Sequence, residues 1–140
     1  MTASSTEIAA LQGALAAEHA AVYGYGVVGA MLAGTEQADA RTDWTAHQVA
    51  RDTLAAMLTR LGATPVAASP AYELPFAVTS AESAEKLAAT IEDGVTRAYL
   101  GLVAVNDQTL RAFAAQSMQV TANRSTAWSG STLAFPGMPA

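Results

Sequence analysis

Apolar positions recur every three to four residues in four long segments of the chain, and between those segments the pattern lapses. In the first segment the inward line reads Ile8, Leu11, Leu15, Glu18, Val22, Tyr25 and Gly29, and in the second Ala40, Trp44, His47, Arg51, Leu54, Leu58 and Leu61. The third carries Leu87, Ile91, Val95, Ala98, Leu102 and Val105 on one line with Glu92 and Tyr99 beside it, and the fourth carries Leu110, Phe113, Ser117, Val120 and Arg124. This spacing turns one stripe of each segment toward a common core. Four helices are therefore expected over residues 5–33, 36–61, 81–106 and 108–129. Start and stop signals agree. Ser5 precedes Thr6 and Glu7, Gly34 follows the first segment, Glu36 opens the second and Gly62 closes it, and Ser80 stands ahead of Ala81 and Glu82. Period-two alternation of the kind a strand needs is confined to the short stretch ELPFAV.

The connections set the topology. Helices one and two, and helices three and four, are joined by almost nothing and must be antiparallel neighbours. Residues 63–79, ATPVAASPAYELPFAVT, contain three prolines and cannot be regular helix. At about 3.3 Å per extended residue such a segment can travel the roughly 40 Å length of a long helix. It is read as a crossover that makes helix three parallel to helix two, an all-α, up-down-down-up four-helix bundle in one domain spanning 1–140. The tail, residues 130–140, is expected to be coil that packs Phe135 onto the bundle.

Composition narrows the partners. A chain of 140 residues that is 51% hydrophobic suits one core. The formal charge of -5, with seven Lys and Arg in all, lacks the basic footprint that phosphate backbones and acidic membranes attract. With no cysteine there is neither a disulfide framework nor a thiolate metal site. The start MTASSTE has an acid where a signal peptide carries bases, and no 18-residue uncharged run follows, so a cytoplasmic protein without a membrane span is expected.

One stretch tempts a different reading. GYGVVG, Gly24 to Gly29, matches the G-x-G-x-x-G fingerprint of dinucleotide sites. That fingerprint works only as a strand-to-helix turn presenting a helix N-terminus to a pyrophosphate. Here it lies deep inside the first helical segment, so the match is accidental. Each helix-interior glycine costs about 1 kcal/mol relative to alanine, and close approach by a neighbouring helix is the expected use.

The chemistry lies in the polar residues on inward stripes. Glu18, His47 and Glu92 each fall within about two residues of their helix midpoints, so they share one level to within roughly 3 Å. Arg51 and Arg124 stand one to two turns from it. Tyr23, Tyr25, Trp44 and Tyr99 could line a small pocket. His19 points about 100° away from Glu18. Neither histidine has a serine or threonine partner that would make a nucleophile.

Together, ALAAEHAAVYGYGVVGA, HQVARD, GATP followed by YELPF, IEDGVTRAY and the AFPG ending resemble the ferritin-like superfamily. More narrowly, they resemble an alanine-rich actinobacterial family catalogued as a domain of unknown function. The resemblance implies a four-helix bundle. Di-iron relatives supply one Glu from each of two helices and Glu-x-x-His from each of the others. Glu18 and Glu92 match the single acids and His47 matches one histidine. Trp44, however, occupies the place of a bridging acid, and the mid-height residues of helix four are Gln116, Ser117, Gln119 and Val120. A di-iron centre is thus expected to be degenerate. The leading expectation is a non-catalytic binding or interaction module without cofactor, in which Glu18 and Glu92 pair with His47, Arg51 or Arg124. The alternatives are a metal-binding protein or metal-dependent oxidoreductase with a single Fe, Mn or Zn on Glu18, His47 and Glu92, or a small organic ligand among the tyrosines. A homodimer or protein partner is expected from the glycines and the alanine-rich outer faces.

Overall fold

The computed structural model describes residues 3–130. They form α1 (Ser5–Met31), α2 (Gly34–Arg60), α3 (Ala81–Val103) and α4 (Gln108–Ser129), with no strand among the described residues. The tail 131–140, with the expected packing of Phe135, lies outside the described residues.

Side-chain caps start three of the helices. Ser4, not Ser5, caps α1: its hydroxyl accepts from the Glu7 amide while the Glu7 carboxylate accepts from the Ser4 amide. Ser80 and Ser83 make the same reciprocal pair at α3, and Asp107 accepts from the Leu110 amide at α4. Gly34, Gly62 and Gly130 take positive φ, where a side chain would be strained, and so mark the turn between α1 and α2 and the ends of α2 and α4. α1 stops at Met31 and α3 at Val103, each a little short of the span the sequence suggests.

Two apolar clusters fix the directions. At one end of the bundle Leu11 and Leu15 of α1 pack with Leu54 and Leu58 of α2, Val95, Tyr99 and Leu102 of α3, and Ala114 of α4. At the other end Tyr25 and Val28 of α1 meet Ala40 of α2 and Ala84, Leu87 and Ala88 of α3, with Trp44 and Trp128 against them. Residue numbers thus rise toward the second end in α1 and α4 and fall toward it in α2 and α3. This is the up-down-down-up arrangement, with α2 and α3 parallel.

The crossover is stitched to α1 as it climbs. The Gln12 side chain holds the Thr64 carbonyl and the Val66 amide, and His19 Nε2 lies 2.8 Å from the Val66 carbonyl. Beyond Tyr72, which packs on Tyr23, Leu74, Phe76 and Val78 seat on the second cluster. Tyr72, Leu74, Phe76 and Val78 are half-buried and the residues between them exposed, so the alternation in YELPFAV is real but belongs to an extended strap without a ladder partner.

The third side of the bundle is tight because α1 and α3 approach closely at Gly24, where an added Cβ would lie 2.5 Å from Ile91 Cδ1. Gly26 and Gly29 have nothing within 4 Å of such an atom, so the close-approach reading holds for one of the three glycines. α1 packs on α2 and on α3, and α3 on α4, whereas α2 and α4 share no comparable seam. The stripe of α4 also differs from its pattern. Ala114, Thr121 and Ser125 are buried and Val120 is exposed, a rotation of one residue. Leu61, expected inside, is exposed past the end of α2.

Candidate functional site

Between the two apolar clusters lies a polar layer. Glu18 and His47 are each 1% exposed and Glu92 is 0% exposed. Burying charge this deeply costs several kcal/mol unless every group finds a partner. The partners are one another. His47 Nδ1 lies 2.5 Å from Glu18 Oε2, and Nε2 lies 2.8 Å from Glu92 Oε1. The imidazole of α2 is therefore clamped between an acid from α1 and an acid from α3.

Two tyrosines complete the layer. Tyr99 donates its hydroxyl to Glu18 Oε1 at 2.8 Å and Tyr25 donates to Glu92 Oε1 at 2.7 Å. Tyr25 also stacks on His47, with ring centroids 5.3 Å apart. From Tyr25 the chain of contacts passes to Asp43 Oδ2 at 3.4 Å, which accepts from Trp128 Nε1 at 2.9 Å. Arg124 Nε stands 3.5 Å from Asp43 Oδ1. Below the layer Thr96 donates to the Glu92 carbonyl and meets the Thr121 hydroxyl at 2.6 Å, tying α3 to α4. Glu92 Oε2 is buried without a hydrogen-bond partner among the described residues.

Electrostatics follow from this geometry. Burial works against charge on His47, but the hydrogen bonds to Glu18 and Glu92 and their negative charges outweigh it and push the imidazole up to about 9. Burial, with the charge and hydrogen bond of Glu92, drives the Tyr25 hydroxyl far above the ordinary tyrosine range, and burial with Glu18 does the same for Tyr99. Burial also raises the Asp43 carboxyl, against the opposing Trp128 hydrogen bond. Near neutral pH these shifts favour a proton on the His47 ring and keep the Tyr25 and Tyr99 hydroxyls protonated.

Glu18, His47 and Glu92 come together as their shared height predicts. The rest of the expected cluster is rearranged. Arg51 turns outward and pairs with its neighbour Asp52 at 2.9 Å, because the two acids inside already share His47. Arg124 reaches Asp43 rather than either glutamate. Tyr23 faces the crossover, and Trp44 is half-buried beside the second apolar cluster, so Tyr23, Tyr25, Trp44 and Tyr99 do not line one pocket. Tyr25 and Tyr99 act as hydrogen-bond donors to the acids.

Asp43 and Trp128 are the participants that stripe reading misses. Asp43 lies one turn before His47 and Trp128 one turn after Arg124, the i,i+4 spacing that puts side chains on one face. That spacing, rather than the heptad line through Trp44, is the signal that finds them.

The open α2–α4 side carries two clefts. One, of about 540 Å³, is lined by Glu36, Asp39, Asp43, Glu85, Arg124 and Trp128. The other, of about 260 Å³, reaches Glu18 and Tyr99 past Phe113, Ser117 and Val120. Arg124 borders both.

A ligating imidazole needs a free lone pair on one nitrogen, and both nitrogens of His47 are hydrogen-bonded to carboxylates. Among the described residues no group of three or more His, Asp and Glu side chains is arranged to hold a metal. None of the described helices is long and apolar enough to cross a membrane.

No curated protein matches the chain. The crystal structure of a conserved hypothetical protein, rv2844, from Mycobacterium tuberculosis is similar, with 33% identity and a TM-score of 0.86. The match covers 91% of this chain and 97% of that one. The family model described as Domain of unknown function (DUF4439) matches residues 10–140, and the chain belongs to that family.

Proposed function

We propose that this protein is a ferritin-like bundle whose metal level has been replaced by a layer of mutually paired polar side chains, and that it acts as a non-catalytic binding module through its α2–α4 side. The ferritin-like ancestry rests on the up-down-down-up order, the long crossover, and acids from α1 and α3 meeting a histidine of α2 at mid-height. The observation that carries the binding role is the unsealed α2–α4 face, whose larger cleft of about 540 Å³ compares with the size of small-molecule sites and whose smaller one of about 260 Å³ leads to Glu18 and Tyr99. Catalysis is disfavoured because the acids and the imidazole are engaged with each other. Among the described residues no nucleophile stands beside a free base.

A metal-binding protein or metal-dependent oxidoreductase is the second reading, and the unpartnered Glu92 Oε2 is what favours it. Native mass spectrometry on protein purified without chelator separates the two. An organic mass increment that disappears in Ala50→Trp, which plugs the smaller cleft, supports the binding module. A stoichiometric Fe, Mn or Zn increment that disappears in Glu18→Gln overturns it.

A further inference from the structure

The two contacts of His47 fix a proton count. Each is a nitrogen and an oxygen at hydrogen-bond distance, 2.5 Å to Glu18 and 2.8 Å to Glu92, and each requires one proton between its atoms. A neutral imidazole supplies a single N–H. The second proton must sit either on the ring or on a glutamate. The tyrosines do not supply it, because each hydroxyl donates to an oxygen of its own acid.

In either arrangement the three groups hold two shared protons. Two carboxylates at -1 each and one imidazolium at +1 give a net -1, and moving a proton from the ring to an acid leaves that sum unchanged. With the proton on the ring no nitrogen lone pair remains, and with it on an acid the one remaining lone pair accepts from that acid's O–H. Imidazole favours the charged form here: the Tyr25 ring lies within the roughly 6 Å over which an aromatic face attracts a cation.

We infer that His47 is the resident cation of this core: a doubly donating imidazolium that fills, between acids from α1 and α3, the role a metal ion plays in a bundle with a free ligand set. The consequence is a site specific for a flat cation with two opposed N–H groups. A divalent metal binding through this ring must displace at least one of its two protons and break that clamp, so metal uptake at His47 is disfavoured. This inference concerns the closed core and is independent of what the α2–α4 clefts bind.

The test removes the ring and offers it back. His47→Gly leaves two buried carboxylates facing a ring-sized gap. Imidazole added to the variant at near-neutral pH is expected to raise its thermal midpoint by at least about 5 °C at saturation. 1-Methylimidazole, which has one N–H at most as a cation, gives no comparable rise. Equal rescue by both compounds, or by neither in a folded variant, overturns the inference. Should His47→Gly fail to fold, calorimetric titration of the wild-type chain with Zn²⁺ and Mn²⁺ decides. No binding that depends on Glu92 is expected, and stoichiometric uptake abolished by Glu92→Gln overturns the assignment.

Discussion

Replacing His47 with leucine strips the cation from the centre of the layer and leaves two carboxylates with no counter-charge. Leucine is similar in size, so little cavity forms and the cost is electrostatic. Glu18 and Glu92 are essentially inaccessible to water, and breaking a buried pair by removing one partner costs about 3–5 kcal/mol. For a chain of this length that lowers the thermal midpoint by roughly 10–20 °C. A triple variant, His47→Leu with Glu18→Gln and Glu92→Gln, removes all three charges and leaves amide oxygens to accept from Tyr25 and Tyr99. Replacing a whole buried ionic group with neutral residues is often close to neutral in stability, so the triple variant is expected to recover most of the loss. Urea denaturation of the wild type, His47→Leu and the triple variant, compared at constant m-value, measures both steps. A single variant that loses less than about 1 kcal/mol, or a triple variant no more stable than the single, would refute the reasoning that charge pairing rather than ring packing holds this layer.

Three further outcomes follow. His47 is held at about 9 when folded against an ordinary 6.5, so the native chain binds the extra proton. Its contribution, at most about 3 kcal/mol, is complete below about pH 6.5 and lost as pH rises through about 9. The buried phenols add to the loss above about 10, and urea midpoints should fall across that alkaline range with a slope flattened in His47→Leu. Tyr25→Phe and Tyr99→Phe each remove a donor from a buried carboxylate and should cost about 1.5–3 kcal/mol by the same assay; a neutral Tyr99→Phe would mean that Glu18 does not depend on that bond. Ser4→Ala breaks the reciprocal cap of α1 and should cost about 1 kcal/mol, whereas Gly13→Ala, with nothing within 4 Å of the new atom, should stabilise α1 by about 0.5–1 kcal/mol. Thermal midpoints moving in opposite directions check both.

Much of this molecule is legible before any coordinates. Helix existence and order follow from the apolar period and the caps, and the helix-free crossover follows from Pro65, Pro70 and Pro75. Meeting at one height is enough to find Glu18, His47 and Glu92, because antiparallel and parallel helices of similar length align their midpoints. What escapes is rotation about each helix axis. In α4 the inward line falls on Ala114, Thr121 and Ser125, and an alanine-rich helix offers little contrast between faces from which to choose. Arg51 is misplaced for a related reason: its long side chain sits near the core line but can carry its charge outward to Asp52. The partners Asp43 and Trp128 depend on the path that hydrogen bonds take once Tyr25 has committed its hydroxyl to Glu92, and sequence spacing alone does not rank such paths.

The claim that His47 is a clamped, doubly protonated ring is tested most directly by nitrogen-15 NMR of its side chain in the wild-type chain at neutral pH. The account predicts both ring nitrogens protonated, each with a slowly exchanging proton coupled across a hydrogen bond to a glutamate. A single protonated nitrogen, with the other showing a free or metal-bound lone pair, would contradict it.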